Sequence, residues 1–477
     1  MAISRVQIRA QDLVLGMFVS GLDRPWSQTP FPLQGFHIKK PKDIETVKSF
    51  STYVYIDVTK GRGPSPGTKI YNSQADQPDV QPREKVPAFQ LQPKRADLNK
   101  LTSVPPRPIE VRLGVYEKTI PLRLEAARAE AIVRELKGNL TLVSKQIARG
   151  RLTDIEGLKK SVDDMVGSVL RCPDAFNWLL RLRHKDQQSY DHSLRTAMLS
   201  AQFGRYAGMS KADIALLCMG GLLKDIGKVK LPRTIVQKVS RTAEEDAQYQ
   251  KFVQYSVEIL RGLDNIDPKI ISIVRYHCER LDGSGFPQGV SGNKIPLLAR
   301  IVGIATEYDA ISSPRESAHP VAPSRAVSII YNMRDKAFQE DLVVKFIQSI
   351  GLYPTGTLVE LTSGDLGIVL EQNQGSRLSP SVAVLDQSAS ATRLGGNCIF
   401  IDLKDERESR RLLLESGREN IVNVPKLAIA RDLEPSAYDV DYDVVSDIFL
   451  QSSGGKVEKQ AEAGGFFANL KSRLFSQ

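Results

Sequence analysis

The sequence predicts a mainly α protein: a large helical bundle, preceded by a small α/β domain and followed by a small β module. Three features predict it. From about 117 to 350 apolar residues recur at three and four positions, the helical period. From 352 to about 432 the period falls to two. Between 59 and 108 lie nine of the chain's 26 prolines, set among Gln, Asp, Ser and Lys, as in an extended linker.

Residues 1–58 read as one compact unit. Val6 and Ile8 alternate with polar neighbours, Met17, Phe18 and Val19 follow a glycine, and TYVYIDV is an apolar-rich strand. DIETVKSF fits one or two helical turns, and Trp26 and Phe31 read as anchors of the small core. After the linker, residues 109–350 form the helical domain. LEAARAEAIVRELKGNL is periodic, and ADIALLCMGGLLKDIG is apolar on most sides, which predicts a central buried helix. DPKIISIVRYHCERLDG predicts a helix running into a Gly-rich loop, and IPLLARIVGIATEYDAISS predicts another buried helix after its proline. Residues 351–450 form the β module, with strands in TLVEL, LGIVL, SVAVLD and CIFIDL, and 451–477 read as a flexible tail.

Composition narrows the function classes. The 477 residues are 41% hydrophobic and 25% charged, which suits a soluble globular chain. The net charge of +10 suits a phosphate-bearing partner, but it is spread along the chain, so DNA binding is not expected. The four cysteines, Cys172, Cys218, Cys278 and Cys398, form no CxxC pair and argue against a disulfide framework or a structural zinc module. No apolar run approaches the ~18 residues of a spanning helix, and the first residues lack a signal-peptide core. The expected location is cytoplasmic. The terminal FFANLKSRLF is expected to be a packing or solvated tail, with membrane contact as the lesser reading.

Histidine is scarce, and two of the five stand in informative places. His192 opens HSLRTAMLSAQFG, and His277 lies in YHCERLDGSGFP beside Cys278 and Glu279. Asp225 lies in LLKDIGKVKLP, where a buried apolar helix ends on Lys224-Asp225 and Lys228 follows. Charges ending a buried helix are costly unless they are paired or bind something. His192, Asp225, His277 and Cys278 are donors suited to a first-row metal if the helices bring them together. The plainer readings are packing histidines, a buried thiol and a structural ion pair. Asp282, Gly283, Gly285 and Pro287 read as a tight loop.

The ordered strings LLKDIGKVKLP, YHCERLDGSGFPQGVSG and IPLLARIVGIATEYDAISS resemble the HD-GYP domain, the cyclic-di-GMP phosphodiesterase branch of the HD metal-dependent phosphohydrolases, over about 170 to 350. GMFVSGLDRPWSQTPFPLQGF and YVYID resemble a small domain of unknown function that often precedes it, and GLYPTGTLVELTSGDLGIVL resembles a β extension that follows some members. The resemblance implies an HD-type helical bundle holding two or three iron or manganese ions that generate a hydroxide, with pGpG or GMP as product. It implies phosphate contacts at Lys228 and Arg315, the usual basic neighbour of the latter being Ala318 here.

The implied ligand set is incomplete. His192, Asp225 and His277 keep their type. Lys224 replaces the His of the His-Asp pair, Phe252 another His, Cys278 the second of a His-His pair, and Thr306 an Asp. Lys224 then sets an ammonium where a metal ion would sit, and close like charges in low dielectric repel strongly. Three readings follow. The first is a degenerate cyclic-di-GMP signalling protein that binds without hydrolysing, with no cofactor and with Lys224, Lys228 and Arg315 as a cationic phosphate cradle, serving a protein partner. The second is a working phosphodiesterase with a reduced iron, manganese or zinc site on His192, Asp225, His277 and Cys278. The third is a structural interaction protein that binds neither metal nor nucleotide.

Overall fold

The computed structural model describes residues 5–23, 35–38, 40–65, 68, 70, 104–151, 155–179, 188–238, 240–313, 321–373, 376, 378–386, 394–434 and 437–451. Trp26, Phe31, Arg315, Ala318, most of the proline-rich stretch and the terminal FFANLKSRLF lie outside them.

The N-terminal unit contains β1 (Arg5–Arg9), β2 (Phe18–Leu22), β3 (Phe36–His37), α1 (Pro41–Phe50) and β4 (Tyr53–Asp57). The strands pair antiparallel in the order β1-β4-β2-β3. Ile8, Met17, Val19, Val47, Val54 and Ile56 are fully buried between sheet and helix, which is how a strand pattern of alternate apolar residues closes over one helix face. The unit docks on the helical domain through charge: Lys40 pairs with Asp335 and with Glu340 at 3.1 Å, and the buried Arg334 reaches Asp43 of α1 at 3.8 Å.

The helical domain runs α2 (Leu122–Ala148), α3 (Glu156–Arg171), α4 (Asp174–Trp178), α5 (Gln188–Tyr206), α6 (Lys211–Leu223), α7 (Arg233–Gln237), α8 (Ala243–Gln250), α9 (Phe252–Arg261), α10 (Pro268–Tyr276), α11 (Leu297–Ser312), α12 (Pro323–Asn332) and α13 (Glu340–Ile350). The expected central helix is α6, buried from Leu217 to Leu223. Its glycine pair explains how it fits. A Cβ on Gly220 would lie 2.4 Å from Ile273 Cγ2 of α10, and one on Gly221 would lie 2.9 Å from Ala197 Cα of α5. Both neighbours therefore approach the α6 backbone directly. That contact brings the end of α6, the start of α5 and the end of α10 to one place. Among the described residues, no helix is long and apolar enough to cross a membrane.

The C-terminal module contains β5 (Leu358–Leu361), β6 (Leu366–Glu371), β7 (Ser381–Leu385), β8 (Cys398–Asp402), α14 (Glu406–Glu415), β9 (Ile429–Asp432) and α15 (Tyr442–Gln451). Its sheet is antiparallel with order β8-β7-β6-β5-β9. The four expected strands are present, while β9 and both helices were not anticipated.

Lys118 ties this module to the bundle. Its ammonium lies 2.7 Å from Glu371 on β6 and 3.4 Å from Asp174 on α4. Burial pushes the Asp174 carboxyl up to about 6, against the pull of Lys118. Between about 4 and 6 the folded protein keeps a proton that the unfolded chain has released. Stability therefore gains from Asp174 as pH falls through that window and loses that gain above it. Asp174→Asn should flatten this part of the profile, visible as a smaller difference in melting temperature between pH 4.5 and pH 7 than in the parent. An unchanged difference would refute the assignment.

Candidate functional site

The site lies where α6 ends. Lys224 caps the helix and Asp225 follows in a turn that runs into the 226–230 segment. This segment is held against α9: Gly227 N donates to Ser256 Oγ at 2.8 Å, and Ser256 Oγ donates to Lys224 O at 3.0 Å. A Cβ on Gly227 would stand 2.2 Å from Phe252 O, so only glycine allows the turn to sit this close. The seat places the Phe252 ring 4.8 Å from Lys228 Nζ and 6.0 Å from the His277 ring.

Asp225 is the centre of the charge arrangement. One carboxylate oxygen pairs with Lys224, the other with Lys228 at 2.7 Å, and His192 Nε2 stands 3.9 Å away. The Lys224 side chain is 0% exposed. Burial alone would push the Asp225 carboxyl up. The two ammoniums outweigh it and hold this acid well below the usual carboxylate range. Burial pushes Lys224 down, and Asp225 only partly restores it.

His192 Nδ1 is 2.6 Å from Asp309 Oδ2 on α11, and Arg195 donates to the same carboxylate at 2.6 and 3.2 Å. Burial and the Lys224 charge lower the His192 pKa despite Asp309. His277 donates from Nδ1 to Val274 O at 2.8 Å, which leaves Nε2 as an acceptor 3.2 Å from Cys278 Sγ. Burial, then Lys224, lowers His277 to about 3, and burial raises Cys278 to about 12. The pair is thus a neutral imidazole accepting from a neutral thiol. Cys278 is no nucleophile in this state, since the thiolate carries that reactivity.

Helix packing gathers Lys224, Asp225, Lys228, His192, His277, Cys278 and Phe252. Thr306 is not engaged: its hydroxyl donates to Val302 O one turn back along α11, at 2.7 Å. Sequence reasoning missed Asp309, the acid that orients His192. The available signal was spacing, because Asp309 lies three residues after Thr306 on the same helix. The loop expected around 282–287 is a turn in which Ser284 N donates to Asp282 Oδ1 at 3.0 Å and Gly283 adopts φ +78°. Glu279 staples it by accepting from Gln288 N and Val290 N.

The metal centre that the resemblance implies does not fit these donors as they are placed. Asp225 is already shared by two ammoniums, Phe252 offers no lone pair, and the Thr306 hydroxyl is spent on the backbone. Among the described residues, no group of three or more His, Cys, Asp or Glu is placed to hold a metal ion.

Comparison with known proteins agrees with the fold. Residues 180–342 match the HD domain family, and residues 5–158 match a domain of unknown function, DUF3391. The chain thus carries an HD domain behind that N-terminal domain, and it is similar to curated cyclic-di-GMP phosphodiesterases. The cyclic di-GMP phosphodiesterase PA4108 of Pseudomonas aeruginosa is 28% identical over 387 residues, 80% of this chain and 86% of that protein. The cyclic di-GMP phosphodiesterase response regulator RpfG of Xanthomonas campestris is 32% identical over 134 residues, 28% of this chain and 35% of that one. The 3'3'-cGAMP-specific phosphodiesterase 2 of Vibrio cholerae is 28% identical over 170 residues, 35% of this chain and 33% of that one.

Proposed function

We propose that this chain is a cyclic-dinucleotide-binding signalling protein whose HD site holds phosphate on fixed ammonium groups and does not hydrolyse it. The observation that carries this reading is the fully buried Lys224, paired with the one carboxylate that a metal centre would need. Lys228 is the phosphate contact. Its side chain is 15% exposed, so it lies at the edge of the site, where Asp225 holds its ammonium at 2.7 Å beside the Phe252 and Tyr249 rings. A phosphodiester oxygen approaching from solvent gains a charge-assisted hydrogen bond there. Lys224, behind Asp225, offsets the carboxylate charge that would otherwise repel the phosphate. Arg315, outside the described residues, is the further phosphate contact that the family resemblance implies.

Hydrolysis is the second reading, and the relatives favour it: the names of PA4108 and RpfG both state a phosphodiesterase. It would require a reduced metal set on His192, Asp225, His277 and Cys278, with Lys224 displaced from Asp225. A protein partner receiving the signal belongs to the first reading.

Titration calorimetry of the full chain with cyclic di-GMP separates these readings. The binding reading expects a saturable isotherm with intact ligand recovered, weakened about tenfold by Lys228→Ala. Recovery of linear product would favour hydrolysis. Absence of binding would leave the structural interaction protein.

A further inference from the structure

One arginine beside the site is set in place by contacts that leave part of its charge unused. Arg241 lies between α7 and α8. It donates from Nε to Ile235 O at 2.9 Å and from Nη2 to Val236 O at 3.3 Å. Its guanidinium stacks on Tyr249 of α8, 3.9 Å from the ring centre. Lys228 Nζ lies 5.5 Å from the centre of that same ring. The cation pinned on Tyr249 and the proposed phosphate contact therefore both lie against one aromatic ring.

The charge balance of this pair is uneven. Lys228 is matched by Asp225. Glu245, an acid whose carboxyl pKa the Arg241 charge helps to lower, has both its oxygens taken by Lys238 at 2.7 and 2.8 Å. Arg241 makes no ion pair among the described residues, and its Nη1 has no hydrogen-bond partner among them. A guanidinium can stack on an aromatic face and still present in-plane donors, which an ammonium cannot do. Its donor direction is already fixed by two carbonyls and a ring, so little rotamer entropy is lost when an anion arrives.

We propose that Arg241 is the contact for the second phosphodiester of a cyclic dinucleotide whose first phosphodiester rests on Lys228. This rests on the binding reading above and deepens it. A cyclic dinucleotide carries two phosphodiesters in one small ring, so two cations held against one tyrosine ring match its charge, whereas a linear dinucleoside with a single phosphodiester uses only one. Arg241 also caps the last carbonyls of α7, and a purely structural role would be confined to that.

The test is calorimetry of the full chain with cyclic di-GMP, comparing the parent with Arg241→Gln, Arg241→Lys and Lys228→Ala, alongside their melting temperatures. Glutamine keeps a planar amide that can donate to a carbonyl, but it removes the charge. The expected result is a loss of about tenfold or more in affinity for Arg241→Gln, a smaller loss for Arg241→Lys, and melting temperatures close to the parent. Parent-like affinity in Arg241→Gln, with Lys228→Ala still weakened, overturns this inference and leaves the binding reading intact. A parent that binds no cyclic dinucleotide overturns both. If Arg241→Gln melts early, Arg241→Lys decides: affinity lost only in proportion to the fraction unfolded overturns the inference.

Discussion

Asp225→Asn should lower the unfolding free energy by about 3 kcal/mol, because it strands a fully buried ammonium. Asp225 carries ion pairs to both Lys224 and Lys228, and Lys224 has no water to turn to. The asparagine oxygen can still accept one hydrogen bond, which keeps the loss toward the lower end of what breaking a buried pair costs. Adding Lys224→Met to Asp225→Asn should recover at least about 1 kcal/mol of that loss, since an apolar side chain of similar length suits the cavity better than an unpaired charge. Urea unfolding of the parent, the two single variants and the double variant gives the coupling directly. A loss under about 0.5 kcal/mol for Asp225→Asn would mean that Lys224 is not paired as described.

The second large effect runs the other way. Lys224→His, Phe252→His, Cys278→His and Thr306→Asp together would return nitrogen and oxygen donors to the four positions where this chain departs from the family pattern. They would also free Asp225 from Lys224 and remove the ring that now packs on His277. This fourfold variant should bind manganese or iron with affinity the parent lacks, because ligand number and geometry act together in metal binding. Calorimetry with each metal alone reads the gain without any assay of turnover. Equal metal binding by parent and variant would show that these four residues are not what prevents a centre from forming.

The bundle was legible because its helices are long and their apolar residues keep step. The central helix could be read from ADIALLCMGGLL, and the glycine pair within it proved to be the reason that α5 and α10 reach its backbone. The candidate residues were legible as charges placed where an apolar helix ends. What could not be read was which carboxylate each cation meets. The order of the motifs drew attention to Thr306, whereas the acid that engages His192 is Asp309, one helical turn further along the same face. The Arg241–Tyr249 stack joins a loop to a helix through a side-chain contact that no periodicity encodes. In the C-terminal module the helix ERESRRLLLE was missed because only three of its ten residues are apolar and charged residues dominate it.

We propose that a lysine ammonium holds the place of a metal ion beside Asp225. Elemental analysis of the purified full chain after incubation with manganese and iron, followed by desalting, tests it most directly, with cyclic di-GMP turnover measured on the same sample. Metal well below about 0.5 equivalent per chain and intact cyclic di-GMP are the predicted result. Stoichiometric metal accompanied by steady release of linear dinucleotide would contradict it.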